Sequence, residues 1–243
     1  MTFADADLTE DALLGGRVRL RQPRGGNRVT MDAVLLAAAV GSSTGERVLD
    51  VGCGAGAVAL CVGERTGARV EGLEILPDYA ALAKANGLAR VWNEDLLAPG
   101  ALKGESFDWV VTNPPYFDPA APASQDAGRA VGRQSRASAG AWMAAALKRV
   151  RSGGGIACVH LVEKLPELLA GLDGAGDIAV LPLAARAGRA PKRMILTARK
   201  GTRAPFRLAP PLTIHAGARH ERDADDYTDQ VKAILQDAAS LSF

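Results

Sequence analysis

The sequence has 243 residues, of which 48% are apolar and 23% charged, so it can bury the core of one α/β domain. It contains no apolar run of about eighteen residues, and its acidic start at Met1–Asp5 does not fit a signal peptide, so we expect a cytoplasmic protein rather than a membrane protein. The sequence does not determine the oligomeric state, and a monomer is favoured. Three scattered cysteines, Cys53, Cys61 and Cys158, argue against a disulfide framework or a zinc site and are predicted to be buried apolar residues. No metal is expected.

Apolar runs separated by polar, glycine and proline breaks predict alternating strands and helices. A polar lead-in over residues 1–30 precedes a single domain over 31–243. The predicted helices cover residues 32–40, a stretch ending near 62, 78–86, 139–150 and 165–172. The predicted strands cover residues 48–51, 69–74, a short stretch near 91, 107–111, 156–161, 177–183 and 192–198, with a glycine break at 153–155. Strand–helix alternation indicates a mostly parallel sheet, whereas the last two strands should be antiparallel because their connection is too short for a crossover helix.

The stretch Val48–Gly56 predicts a buried strand followed by a glycine turn in which Gly52, Gly54 and Gly56 let the backbone approach a ligand. Dinucleotide and methyl-donor sites both use such turns, but the third glycine comes one residue too early for the nicotinamide fingerprint. About twenty residues further on, Glu74 ends the next strand, where a carboxylate can hold both hydroxyls of a ribose.

Asp95 follows the third predicted strand and could accept a hydrogen bond from an adenine amino group. The alternatives are a solvated strand end for Glu74 and a cap before Leu96 and Leu97 for Asp95. Asp50, inside the first strand, is expected to brace the glycine turn.

The motif Asn113-Pro114-Pro115-Tyr116 follows the strand at 107–111 and suits methylation of a planar amino or amide nitrogen. The lone pair of such a nitrogen is delocalised until hydrogen-bond acceptors localise it, and the Asn113 side chain with the Pro114 carbonyl can supply two acceptors. Tyr116 offers a ring on which a planar substrate can stack. In isolation the motif would be better interpreted as a strand exit punctuated by prolines.

Together these motifs resemble the class I S-adenosylmethionine-dependent methyltransferases, and within them the bacterial tRNA1(Val) adenine-37 N6-methyltransferase family. The resemblance covers nearly the whole chain, through the motifs already named and the flanking stretches 15–23, 28–37, 189–196 and 225–228. It implies a Rossmann-like α/β fold with a mostly parallel seven-stranded sheet and an antiparallel C-terminal strand pair. It also implies S-adenosyl-L-methionine as cofactor and an adenine of RNA, in particular tRNA, as substrate.

The family's lead-in implies a further role for two residues of this chain. Thr30 and Asp32 match it and would close over the methionine end of the cofactor. The alternative is that they cap the helix that begins beside them.

Basic residues are clustered although the net charge is only +2. Residues 17–28, 129–151 and 186–207 contain no acid and hold 19 of the 29 Lys and Arg residues. Such clustering is typical of a surface that binds a polyanion. We therefore predict RNA contacts from Arg186, Arg189, Lys192 and Arg193; the alternative is a set of basic loops that serve solubility.

Two other functions remain open from the sequence. A protein glutamine N5-methyltransferase could use the same motif at Asn113, because a glutamine amide presents the same two donors, although only about thirty residues precede the first predicted helix. A non-catalytic RNA- or cofactor-binding module is the other possibility.

Overall fold

The computed structural model describes residues 3–25, 28–98, 100–114, 138–217 and 226–243. The strands in these ranges are β1 (Leu8–Leu13), β2 (Val18–Pro23), β3 (Arg47–Val51), β4 (Arg69–Leu73), β5 (Val91–Trp92), β6 (Phe107–Thr112), β7 (Val150–Leu161), β8 (Ala175–Ala184), β9 (Arg193–Lys200), β10 (Arg207–Leu208) and β11 (Leu212–Thr213). The α-helices are α1 (Met31–Ala38), α2 (Ala57–Thr66), α3 (Pro77–Ala85), α4 (Ala139–Arg149), α5 (Leu165–Ala170) and α6 (Asp229–Asp237).

One sheet carries nine of the described strands, in the order β10-β8-β9-β7-β6-β3-β4-β5, with β11 also paired to β8. Every neighbouring pair is parallel except those of β9, which runs antiparallel to both β7 and β8. The mostly parallel sheet and the antiparallel closing pair are therefore confirmed. The sheet exceeds the expected seven strands because two strands of two residues each, β10 and β11, are added beside β8.

The lead-in contains a β-hairpin that the sequence interpretation did not predict. β1 and β2 pair antiparallel, with Leu8 opposite Pro23 and Leu13 opposite Val18. Val18 and Leu20 alternate with exposed or half-buried arginines and are buried in the same core as α1 and α2. The hairpin is thus held against the rest of the protein by its apolar face.

The expected glycine break at 153–155 is wrong, because β7 begins at Val150 and runs through it. A Cβ atom on Gly155 would lie 2.6 Å from the ring of Trp109. A Cβ atom on Gly154 would lie 2.7 Å from the carbonyl oxygen of Asp108. These glycines are therefore required by close packing within the sheet rather than by a turn.

Each face of the sheet is covered by helices. Successive residues of β3, Val48 and Leu49, are fully buried on opposite faces. The face of Val48 is packed by residues of α1, α2 and α6, and the face of Leu49 by residues of α4 and α5. The three cysteines are buried and free, as predicted. None of the helices in the described ranges has the length and apolarity needed to cross a membrane.

Candidate active site

The carboxyl ends of four parallel strands meet at one edge of the sheet. Val51, the last residue of β3, lies opposite Leu73 of β4 and Thr112 of β6. Leu73 in turn lies opposite Trp92 of β5. The residues that follow these strands, including Gly52, Glu74 and Asn113, are therefore brought to the same edge, where ligands of open α/β sheets bind.

The glycine turn is shaped by backbone conformations that other residues rarely adopt. Gly52, Gly54 and Gly56 have φ angles of +72°, +54° and +94°. The amide of Gly52 donates to the carbonyl of Leu73 at 2.8 Å, which ties the turn to β4. A Cβ atom on Gly56 would come within 3.0 Å of the Leu88 side chain, whereas one on Gly54 would have no atom within 4 Å. The turn therefore packs against the protein at Gly56 and faces open space at Gly54.

Glu74 connects the glycine turn to the segment that follows β4. Its Oε2 accepts from the Gly54 amide and its Oε1 from the Leu76 amide, both at 2.9 Å. The residue is only 7% exposed, and burial raises the pKa of its carboxyl against the opposing effect of these hydrogen bonds. Each carboxylate oxygen retains a lone pair after accepting one bond, so the side chain can still accept from two ligand hydroxyls.

Asp50 braces the beginning of α2 rather than the glycine turn itself. Its Oδ2 accepts from the amide of Ala59 at 3.1 Å, and the residue is 1% exposed. Burial, with a smaller contribution from the charge of Glu74, raises the pKa of Asp50 to about 7. Two buried acids thus lie beneath the edge at which the predicted cofactor site is located.

Asp95 is exposed, and its Oδ1 accepts from the amide of Leu97 at 2.9 Å in a local turn. The alternative interpretation, a helix N-cap, is not what the structure shows, because residues 96–98 form a turn and not a helix. The neighbouring Asn93 donates to the carbonyls of Glu74 and Ile75, at 2.8 and 3.0 Å, and holds the two strand ends together. The predicted contact between Asp95 and an adenine stays a prediction.

Asn113 follows β6 directly and is half-buried, and Pro114 beside it is buried. Tyr116 lies outside the described residues. Of the three predicted catalytic residues, the structure thus places Asn113 and Pro114 at the same edge as the glycine turn.

Thr30 and Asp32 flank the start of α1 in different environments. Thr30 is exposed and occupies the N-cap position, but its side chain makes no capping hydrogen bond, contrary to the capping alternative. The segment before it is fixed by the amide of Val29, which donates to the buried Gln22 of β2 at 2.8 Å. Asp32 is 3% exposed and forms an ion pair with Arg193.

The four predicted RNA-binding residues have unequal access to solvent. Three of them belong to the connection between β8 and β9 and Arg193 is the first residue of β9; this connection lies at the carboxyl edge because β9 runs antiparallel. Arg189 and Lys192 are exposed. Arg186 is only 9% exposed and is held by the Asp226 carboxylate and the Ala216 carbonyl, so little of its side chain is open to a phosphate, and its contact with RNA stays a prediction. The Arg193 side chain is 44% exposed but is paired with Asp32.

Sequence reasoning missed Trp142, whose place within a predicted helix favours a core residue. Its indole N–H donates to the hydroxyl of Thr112 at 3.0 Å, one residue before Asn113. Its ring carbon Cζ2 lies 3.6 Å from the position of a Cβ on Gly52. In the sequence Trp142 is simply the neighbour of Met143, and no pattern there indicates its hydrogen bond to Thr112 or its place beside Gly52.

Comparison with known proteins identifies the family. Residues 26–160 match the sequence profile of the methyltransferase small domain. A protein of Yersinia enterocolitica serotype O:8 named tRNA1(Val) (adenine(37)-N6)-methyltransferase is 32% identical over 60% of this chain and 61% of its own length. Proteins of the same name are 35% identical over 45% of the chain in Shewanella amazonensis and 30% identical over 70% in Yersinia pseudotuberculosis serotype O:3. The matches span 50% and 72% of those two proteins, so the chain spans about half to three quarters of the three relatives.

Solved structures agree in fold. A predicted O-methyltransferase from Agrobacterium tumefaciens has a TM-score of 0.69 at 24% identity, over 87% of this chain and 98% of that chain. The 16S rRNA N2 G1207 methyltransferase of T. thermophilus, solved with AdoMet and guanosine, has a TM-score of 0.54 at 22% identity, over 79% of this chain and 50% of that chain. Both likenesses confirm the expected class I methyltransferase fold. With a profile match over more than half of its residues, the chain belongs to the methyltransferase small domain family.

Proposed function

We propose that this protein transfers the methyl group of S-adenosyl-L-methionine to N6 of an adenine in RNA, with tRNA as the substrate class. The observation that carries the proposal is the placement of Asn113 and Pro114 at the sheet edge that also holds the glycine turn and Glu74. The names of the curated relatives support both the adenine and the tRNA. An RNA substrate also agrees with the cytoplasmic location expected from the sequence.

The site fits the proposed cofactor in its donor and acceptor groups. The open space at Gly54 admits a ligand against the backbone, and the buried Glu74 carboxylate has lone pairs left for the two ribose hydroxyls. The negative charge of ionised Glu74 also favours a cationic ligand nearby. Asp95, Thr30 and Asp32 remain proposed contacts to the adenine and methionine ends.

S-adenosyl-L-methionine supplies an electrophilic methyl group on a sulfonium, whose bonding electron pair stays with sulfur as the amino lone pair forms the new N–C bond. The Asn113 side-chain oxygen and the carbonyl of Pro114 would accept hydrogen bonds from the two amino N–H groups and localise the lone pair on nitrogen. This interaction is stronger in the transition state than in the flat ground state, and so accelerates the reaction. The nitrogen then loses one proton to solvent, which needs no strong base because the proton becomes acidic as positive charge develops.

Asn113→Ala tests the role of the side-chain acceptor. Loss of one transition-state acceptor typically costs about 2.7 to 4 kcal/mol, or roughly a hundred- to a thousandfold in kcat. Binding of S-adenosylhomocysteine, measured by calorimetry, should be unchanged. Asn113→Asp keeps an acceptor oxygen and should retain more turnover than Asn113→Ala. Loss of cofactor binding in the alanine variant would contradict the role of Asn113.

The substrate is tested with labelled S-adenosyl-L-methionine and two acceptors, bulk tRNA and a protein release factor. The proposal expects N6-methyladenosine in the tRNA by nucleoside mass spectrometry. Label in a release-factor glutamine would support the protein methyltransferase instead. Cofactor binding without turnover on either acceptor would support a non-catalytic module.

A further inference from the structure

A chain of two hydrogen bonds joins α4 to the strand ends that precede both functional loops. The indole N–H of Trp142 donates to Thr112 Oγ1 at 3.0 Å, and the Thr112 hydroxyl donates to the carbonyl of Val51 at 2.9 Å. Thr112 immediately precedes Asn113, and Val51 immediately precedes Gly52. The chain therefore crosses from helix to β6 to β3 at the positions where the two loops begin.

The direction of these bonds makes Thr112 depend on Trp142. A hydroxyl has one proton, which Thr112 gives to Val51, and its lone pairs remain to accept the indole N–H. Thr112 is fully buried, so hydrogen bonds in this chain polarise each other more than they would in water. Loss of the indole donor would thus weaken the link between β6 and β3 as well as the link to α4.

The ring of Trp142 also limits the position of the glycine turn. Its Cζ2 and Cη2 atoms lie 3.6 and 3.8 Å from the place that a Cβ on Gly52 would occupy, so the ring borders the turn at the position where glycine has no side chain. One side chain is therefore bonded to the residue before Asn113 and lies beside the first glycine of the turn. A residue that only filled the core would need the ring but not the N–H.

We propose that Trp142 is a positioning residue that sets the separation between Asn113 and the glycine turn, and hence between methyl acceptor and methyl donor. This inference rests on the proposed methyl transfer between these two loops. An error of about 1 Å in the placement of reacting groups can lower a rate a hundredfold. The hydrogen-bond chain joins Thr112 and Val51, the residues that directly precede the two loops, so its loss would change the placement of both loops.

The test uses Trp142→Phe, which keeps an aromatic ring and removes the N–H. We expect kcat for methylation of tRNA to fall about tenfold, while the dissociation constant of S-adenosylhomocysteine changes less than threefold. Thr112→Val should have a similar effect, and Thr112→Ser should restore kcat because it keeps the hydroxyl. The double variant should be no worse than either single variant, since both interrupt the same chain.

Trp92→Phe is the matched control. It also removes one indole hydrogen bond, from Trp92 Nε1 to Glu71 at 3.0 Å, and should leave kcat unchanged. A Trp142→Phe enzyme with lowered thermal stability but wild-type kcat would overturn the inference and leave the proposed function intact. Additive losses in the double variant would also overturn it.

Amide hydrogen exchange separates failure of the inference from failure of the proposed function. Peptides covering residues 48–56 and 107–114 should exchange faster in Trp142→Phe and Thr112→Val, but not in Thr112→Ser. If the wild-type protein methylates neither RNA nor protein, the proposed function fails, and this exchange pattern still decides the positioning role. Unchanged exchange in both disrupting variants would refute that role.

Discussion

Glu74→Gln should weaken cofactor binding by an amount that follows from its two backbone hydrogen bonds. The carboxylate accepts from Gly54 and Leu76, at 2.9 Å each. A glutamine amide has one acceptor oxygen, so its NH2 group would face one of the two N–H donors. One charge-assisted bond is then lost, at about 1.5 to 3 kcal/mol, which corresponds to roughly a 10- to 150-fold change in a dissociation constant.

The lost hydrogen bond should weaken cofactor binding, because the bond from Gly54 to Glu74 fixes the turn that faces the proposed cofactor site. The variant also removes the negative charge proposed to hold the ribose hydroxyls. We expect the dissociation constant of S-adenosylhomocysteine, measured by calorimetry, to rise within that range. Asn113, which follows β6 two strands away from β4 in the sheet, is untouched, so residual turnover at saturating cofactor should persist.

Glu71→Gln is the control, on β4 and three residues before Glu74. Glu71 accepts from Arg47 at 2.7 Å and from the indole of Trp92 at 3.0 Å, and neither partner belongs to the glycine turn. It should lower the free energy of unfolding without changing cofactor affinity. If Glu74→Gln binds cofactor within threefold of the wild type, or if both variants weaken binding equally, the assigned role of Glu74 is refuted.

Two further predictions concern charge. Burial raises the pKa of Asp50 from 3.8 to about 7, so its protonated form stabilises the fold below about pH 4, and this stability is lost as pH rises toward 7. As pH rises from 5 to 8, the free energy of unfolding of Asp50→Asn should therefore increase relative to that of the wild type, by up to about 3 kcal/mol. Chemical denaturation measures this difference, and a difference that does not change with pH would show that Asp50 is already ionised at pH 5. Arg189→Ala and Lys192→Ala should weaken tRNA binding and flatten its salt dependence by about one unit of slope for each phosphate that is no longer neutralised. Arg203→Ala, an exposed arginine beyond the opposite end of β9, should not, and equal effects from all three would refute a localised surface.

The sequence predicted the parallel sheet because its signals were local. Apolar runs, glycine turns and short connections marked nearly every strand of the sheet's centre, and the short link between β8 and β9 required an antiparallel pair. The β1–β2 hairpin is not among the predicted elements, although Val18 and Leu20 alternate with arginines in the period-2 pattern of a strand. The arginines of this stretch also form a basic cluster, and the prediction uses only their charge. The glycines at 153–155 predict a break before the strand, because the sequence does not show that Trp109, distant along the chain, lies close to Gly155.

The predicted site was less complete for the same physical reason. Residue types at strand ends located the glycine turn, Glu74 and Asn113, because parallel strands must end at one edge. Charge counting could not identify partners, and Arg186 and Arg193 pair with acids 40 and 161 positions away along the chain. A count of basic residues therefore overstated the number available to RNA.

The proposed cofactor side of the site is built by the protein's own hydrogen bonds. Gly54 is bound to Glu74, α2 begins on Asp50, and Asn93 joins the ends of β4 and β5. A ligand that meets groups already held in place does not pay the cost of ordering them, so more of its contact energy appears as affinity. In the proposed site the buried Glu74 carboxylate would serve folding and binding together, because each of its oxygens holds a backbone amide and can still accept a hydrogen bond from a ligand. A substitution that removes one of these bonds should therefore weaken binding of the proposed cofactor even where the protein stays folded.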